Sequence, residues 1–190
     1  MELYKGKAKG FPMYIRRWDE PEIREFDGEE VEGRPTRAFG TSEFTYAGKV
    51  YKPEPWATRW EVEDLKNYLE QWLKVEFTFC LCGLYEHSWD SIPHHSDTVP
   101  TLDDIVVGVS FGAPRILEWH QYKYDIKKET NTSKIEALAI NNQEVTRINY
   151  LLEDGDVYMF DGHSQMFTTH SIPALEGTGA RVSLTFRTGV

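Results

Sequence analysis

The sequence predicts a mainly β domain, an antiparallel sandwich or jelly roll with one or two helices packed on it. Three observations carry this. Beyond residue 76 the chain reads as short strand-like runs joined by turns, with no helices interleaved. Only residues 59–74 have helical periodicity. A chain of 190 residues, 40% hydrophobic and 14% aromatic, fills one sizeable core.

Taken in order, residues 1–10 hold Lys5, Lys7 and Lys9 between glycines and read as a solvated basic terminus. Residues 11–33 mix aromatics with an acidic run from Asp19 to Glu32, which suits a solvated loop or an edge strand. Residues 1–33 are therefore expected as an N-terminal arm with the first strands, ahead of a main domain over 34–190. Proline and glycine punctuate 34–56, so loop and short strand are expected there, with a hairpin tip at Tyr46–Tyr51. Thr58 and Glu61 have the spacing of a capping box, in which hydroxyl and carboxylate each satisfy a free backbone N–H. The helix that follows carries an apolar stripe of Val62, Leu65, Leu69, Trp72 and Leu73. Strands are expected at Phe77–Tyr85, Ile105–Phe111, Arg115–Glu118, Thr146–Leu152, Val157–Phe160 and Ala180–Arg187. The polar residues 125–146 suit a protruding hairpin or loop.

Lys and Arg number 21 against 31 Asp and Glu, a net charge of −10. That argues against a polyanion binder that works by bulk attraction. No apolar run approaches the ~18 residues of a membrane span. No apolar stretch follows the basic residues of the first ten positions, as a secretory signal would require. Two cysteines make no disulfide framework; Cys80 and Cys82 share one strand face and are expected as buried thiols. The expectation is a monomer of the cell interior, cytoplasm or nucleus, neither secreted nor membrane-bound.

The segment Arg181–Arg187 alternates: Val182, Leu184 and Phe186 face one way, Arg181, Ser183, Thr185 and Arg187 the other. One reading gives the polar face to water. The other lines a cavity with it, and two buried guanidinium groups then require an acidic guest such as a small dicarboxylate. In His94–His95–Ser96–Asp97, an extended chain puts His95 and Asp97 on one side, able to grip one ion. A further histidine would complete the facial set of two histidines and one carboxylate that leaves positions open on Fe(II). His170, in Thr169–His170–Ser171–Ile172–Pro173, is such a histidine or simply a satisfied polar residue.

In order, these motifs are His-x-Asp, a histidine 75 residues on, an arginine 11 later and another six after that. This arrangement resembles the AlkB family of Fe(II)/2-oxoglutarate dioxygenases. HSIP at 170–173 and RVSLTFR at 181–187 resemble its distal-histidine and double-arginine motifs. VGVSFGAPRIL at 107–117 resembles its central strand pair, and RPTRAFG with Tyr46, Tyr51 and PEPW its nucleotide-recognition lid, here 34–58. The resemblance covers roughly 34–187. It implies a double-stranded β-helix in which His95, Asp97 and His170 hold Fe(II), with 2-oxoglutarate and O2 as co-substrates. It implies that Arg181, with Tyr85 beside it, pairs the far carboxylate, and that Ser183 and Arg187 complete the co-substrate pocket, Arg187 also bracing Asp97. Tyr46, Tyr51 and Trp56 would sandwich an extruded base, with the His95 ring as a possible opposite wall.

Two positions depart from the family pattern: Gly83 and Ser183 stand where it has asparagine. The implied reaction is oxidative demethylation of N-alkylated bases in DNA or RNA, single-stranded or flipped. The alternatives are the same chemistry on a modified pyrimidine, a protein side chain or a metabolite, and a catalytically silent jelly-roll binding module.

Overall fold

The computed structural model describes residues 1–21, 23–26, 29–46, 49–97, 104–123 and 144–188. The expected protruding hairpin at 125–146 therefore lies largely outside the described residues.

Alternating residues build two facing antiparallel sheets. The major sheet runs β1 (Glu2–Tyr4), β12 (Asp156–Asp161), β9 (Ile105–Gly112), β14 (Arg181–Arg187), β7 (Phe79–Tyr85), β4 (Thr36–Gly40). The minor sheet runs β11 (Glu144–Leu152), β10 (Arg115–Tyr122), β13 (Thr168–Ile172), β8 (Ile92–His95). Two hairpins, β2 (Ile23–Phe26) with β3 (Glu29–Glu32) and β5 (Phe44–Tyr46) with β6 (Lys49–Tyr51), complete the strands. The architecture is the expected mainly β, double-stranded β-helix (jelly roll) class. The expected tip at Tyr46–Tyr51 is the β5–β6 hairpin.

The period-two pattern sorts the major sheet into two faces. Leu184 and Phe186, with Cys80, Cys82, Val107, Val109 and Val157, pack outward under helix α1 (Trp60–Leu73) through Val62, Leu65 and Leu69. Both thiols are free and buried, their Sγ atoms 3.9 Å apart. The inner face meets the minor sheet through Tyr85, Val106, Tyr158 and Phe160 against Leu117, Trp119, Leu152 and Ile172. Fully burying such side chains contributes about 1.5–3 kcal/mol each.

Two local expectations change. Helix α1 starts one residue later than a capping box would have it. Arg59 occupies the N-cap without a side-chain bond, and the Thr58 hydroxyl donates instead to Pro55 O at 2.7 Å. A short helical turn over Trp56–Thr58 already uses those groups. Nor are residues 1–10 a solvated tail. β1 pairs with β12 at the sheet edge, and the buried Asp156 carboxylate accepts from Gly6 N–H at 2.7 Å and from Lys5. The terminus is thus stitched to the β11–β12 turn, whose Gly155 carbonyl accepts from Ala8 N–H.

Candidate active site

Strand pairing assembles the site. β8 and β13 are neighbours, and their register sets His95 directly opposite His170, ring centroids 4.4 Å apart. Asp97 follows β8 and turns inward: His95 Nε2 lies 3.4 Å from Asp97 Oδ1, and His170 Nε2 lies 3.7 Å from Oδ2. One donor atom from each of the three falls within 4.8 Å of the others. His95 Nδ1 is 2.8 Å from Pro93 O, so that nitrogen carries the proton and Nε2 turns its lone pair to the site. Trp119, opposite His170 on β10, stacks on its ring at 5.9 Å.

The electrostatics prepare a metal site. Burial alone would raise the Asp97 carboxyl, but Arg187, with Nη2 3.2 Å away, and the two histidines outweigh it and hold it well below the usual range. Burial and then His95 lower His170 to about 3, against the pull of Asp97. Asp97 is therefore ionised and His170 neutral at physiological pH, the forms that ligate metals. Two imidazoles and one carboxylate on adjoining strands fit Fe(II) and leave open positions.

The inner face of β14 carries the rest. Arg181 and Arg187 are 1% and 5% exposed, and Ser183 and Thr185 between them are half-buried, so the polar face of this strand lines the interior. Arg181 Nε donates to Ser110 Oγ at 2.7 Å, while Nη1 and Nη2 are buried with no hydrogen-bonding acceptor among the described residues. Arg181 pairs in register with Tyr85, its guanidinium 4.9 Å from that ring. Ser183 and Gly83 are also direct partners, so the two departures from the family pattern face each other across β7–β14. A Cβ built on Gly83 meets nothing within 4 Å, so the space is open. One cavity is lined by His95, Asp97, His170, Tyr85, Ser183 and Arg187 together.

The proposed base sandwich is different. Trp56 is buried and stacks toward Phe186 at 6.4 Å, and Tyr51 is buried near Phe79. Neither lines the cavity. Both aromatics turn from the lid segment into core clusters. Tyr46 ends β5, paired with Lys49. Of the basic residues near the lid, Arg37 is tied to Asp19 at 2.9 Å and to Glu54.

Two buried residues that matter here have no sequence signal. Gln165 sits on helix α2 (Gly162–Phe167), which Asp161 caps by accepting from Ser164 N–H. Its Oε1 accepts from Asp97 N–H at 3.1 Å and its carbonyl accepts from Ser96 Oγ at 2.6 Å, which fixes the His-x-Asp turn. Arg115, fully buried at the start of β10, donates to the carbonyls of His87, Ser88 and Asp90 and closes the turn after Tyr85.

Gly108 supports the cavity wall. It pairs in register with Tyr158, and a Cβ there would overlap the Tyr158 ring. Gly108→Ala is expected to cost about 1–3 kcal/mol through overpacking and to displace a ring that lines the site. Gly83→Ala, into open space, is expected to be tolerated. Urea unfolding of the two variants checks this.

The 2OG-Fe(II) oxygenase superfamily profile matches residues 17–187. Alpha-ketoglutarate-dependent dioxygenase alkB homolog 3 of Homo sapiens is 29% identical over 160 residues, 82% of this chain and 51% of that protein. Uncharacterized protein R406 of Acanthamoeba polyphaga mimivirus is 29% identical over 147 residues, 75% of this chain and 64% of that protein. The solved structure of OsALKBH1 shares the fold with a TM-score of 0.58 at 17% identity, covering 98% of this chain and 96% of that one. The chain spans about half the length of the alkB homolog 3 relatives it matches. No helix among the described residues is long and apolar enough to cross a membrane. With the profile running from before the lid to the last arginine of β14, and the three donors converging inside it, the chain belongs to the 2OG-Fe(II) oxygenase superfamily.

Proposed function

We propose that this chain is an Fe(II)/2-oxoglutarate-dependent dioxygenase that demethylates N-alkylated nucleobases in DNA or RNA. The observation that carries the reading is a ligand set that shares one cavity with Tyr85, Ser183 and Arg187, with Arg181, the register partner of Tyr85, buried and without an acceptor among the described residues at either terminal nitrogen. Loaded with Fe(II), 2-oxoglutarate and O2, such a site hydroxylates a C–H bond, and an N-alkyl carbon so hydroxylated leaves as an aldehyde.

The chain's own residues have separable tasks. His95, Asp97 and His170 hold the metal. Arg187 keeps Asp97 ionised and oriented, and Gln165 fixes the turn that aims it. Arg181 offers two donors to the far carboxylate of the diacid, with Tyr85 and Ser183 beside it. Trp119 and Phe160 wall the His170 ring and keep water from that side.

A second reading, the same chemistry on a non-nucleic-acid target, draws support from the net charge of −10 and from the pairing of Arg37 with two carboxylates. One assay separates them. Succinate with equimolar formaldehyde from methylated oligonucleotides is the expected result. Succinate without formaldehyde on any methylated base overturns the demethylase reading and leaves the hydroxylase.

A further inference from the structure

We propose that His94, Glu118 and His120 form a second metal site, able to hold Zn(II), on the outer face of the minor sheet. Alternation puts His94 on the face of β8 opposite His95, and Ser171 on the face of β13 opposite His170. Glu118 and His120 lie two apart on β10 and share that outer face. The strand order β10-β13-β8 brings them together across Ser171.

The cluster is compact. One donor atom each from His94, Glu118 and His120 lies within 4.8 Å of the others. His94 Nε2 is 3.1 Å from Glu118 Oε2 and 3.1 Å from Ser171 Oγ, and that hydroxyl donates to Glu118 Oε2 at 3.3 Å. The His94 and His120 rings stack at 3.8 Å, with His120 buried and the other two half-buried.

Two imidazoles and a carboxylate suit Zn(II), with Ser171 or water in the fourth position, whereas Ca2+ and Mg2+ prefer all-oxygen shells. Zn–N bonds of about 2.0–2.1 Å require the donors to close to about 3.3 Å. Binding an ion therefore requires the His94 and His120 rings to leave their 3.8 Å stack. Arg147, opposite His120 on β11, is exposed, so solvent screens its charge. An ion here clamps β8, β13 and β10, which carry His95, Trp119 and His170, from behind.

The test is Zn(II) binding to metal-free protein by competition with a chromophoric chelator. Wild type is expected to bind two equivalents. His95→Ala/His170→Ala, which keeps Asp97 against Arg187, is expected to bind one and to melt higher with Zn(II) than without. Adding Glu118→Gln/His120→Asn to it is expected to weaken that ion by more than the ~10–100-fold that loss of an outer-shell partner costs. His94→Gln, a milder change on an edge strand, is expected to reduce wild type to one tight equivalent, and cooperative melting of each variant confirms folding. A wild type saturating at one equivalent overturns the proposal. So does a residual ion in the inner-site variant that is indifferent to Glu118→Gln/His120→Asn, or a His94→Gln variant that keeps two. The readout is stoichiometry, so it is independent of whether the enzyme releases formaldehyde.

Discussion

Asp97→Ala is expected to abolish succinate formation and to destabilise the metal-free protein by about 3–5 kcal/mol, the cost of breaking a buried ion pair from one side. Asp97 is 1% exposed and holds Arg187 at 3.2 Å, itself inside the barrel. Removing the carboxylate strips a buried guanidinium of its counter-charge as well as removing a metal ligand. The two losses separate in a double variant. Asp97→Ala/Arg187→Met is expected to recover most of the stability and none of the turnover, because the uncompensated charge has gone while the ligand is still missing. Urea unfolding and a succinate assay check both. An Asp97→Ala protein as stable as wild type would show that the pair does not bear on folding.

Arg181→Met is expected to move stability and function in opposite directions. Arg181 satisfies Nε through Ser110, and its two buried terminal nitrogens have no acceptor among the described residues. An apolar side chain of similar volume removes that burden, so the variant is expected to match or exceed wild type, in line with the ~1–4 kcal/mol gained when buried charges are replaced. Its affinity for 2-oxoglutarate is expected to fall by about 2–5 kcal/mol, the cost of truncating one partner of a buried charge pair. A raised melting temperature with a 2-oxoglutarate KM at least about 30-fold higher is the expected pair of results. If the melting temperature falls sharply and KM is unmoved, Arg181 is a structural residue.

Much of this was legible in the sequence, and the reasons are local. β7, β9, β12 and β14 show because their alternation places apolar residues on the face under α1 at every second position. β8 is four residues with a proline and two histidines, and β13 is buried on both faces, so neither presents a period. β1 and its stitch to Asp156 depend on a partner some 150 residues away, which no window reveals.

The site divides in the same way. Strand alternation alone leaves His95, Asp97, His170 and the two arginines open to plainer readings, and it is their order along the chain, through the family resemblance, that singles them out. That Trp56 and Tyr51 are buried is not legible, because an aromatic that fills a core and one that waits over a pocket look alike in sequence. Gln165 and Arg115 are silent because each acts through hydrogen bonds to distant backbone.

The most direct test of the account is an anaerobic titration of metal-free protein with Fe(II) and 2-oxoglutarate, followed in the visible. A charge-transfer band saturating at one equivalent of each, lost in His170→Ala and shifted to much higher 2-oxoglutarate in Arg181→Met, is the predicted result. No band in the wild type, or a band that persists unchanged in His170→Ala, would contradict it.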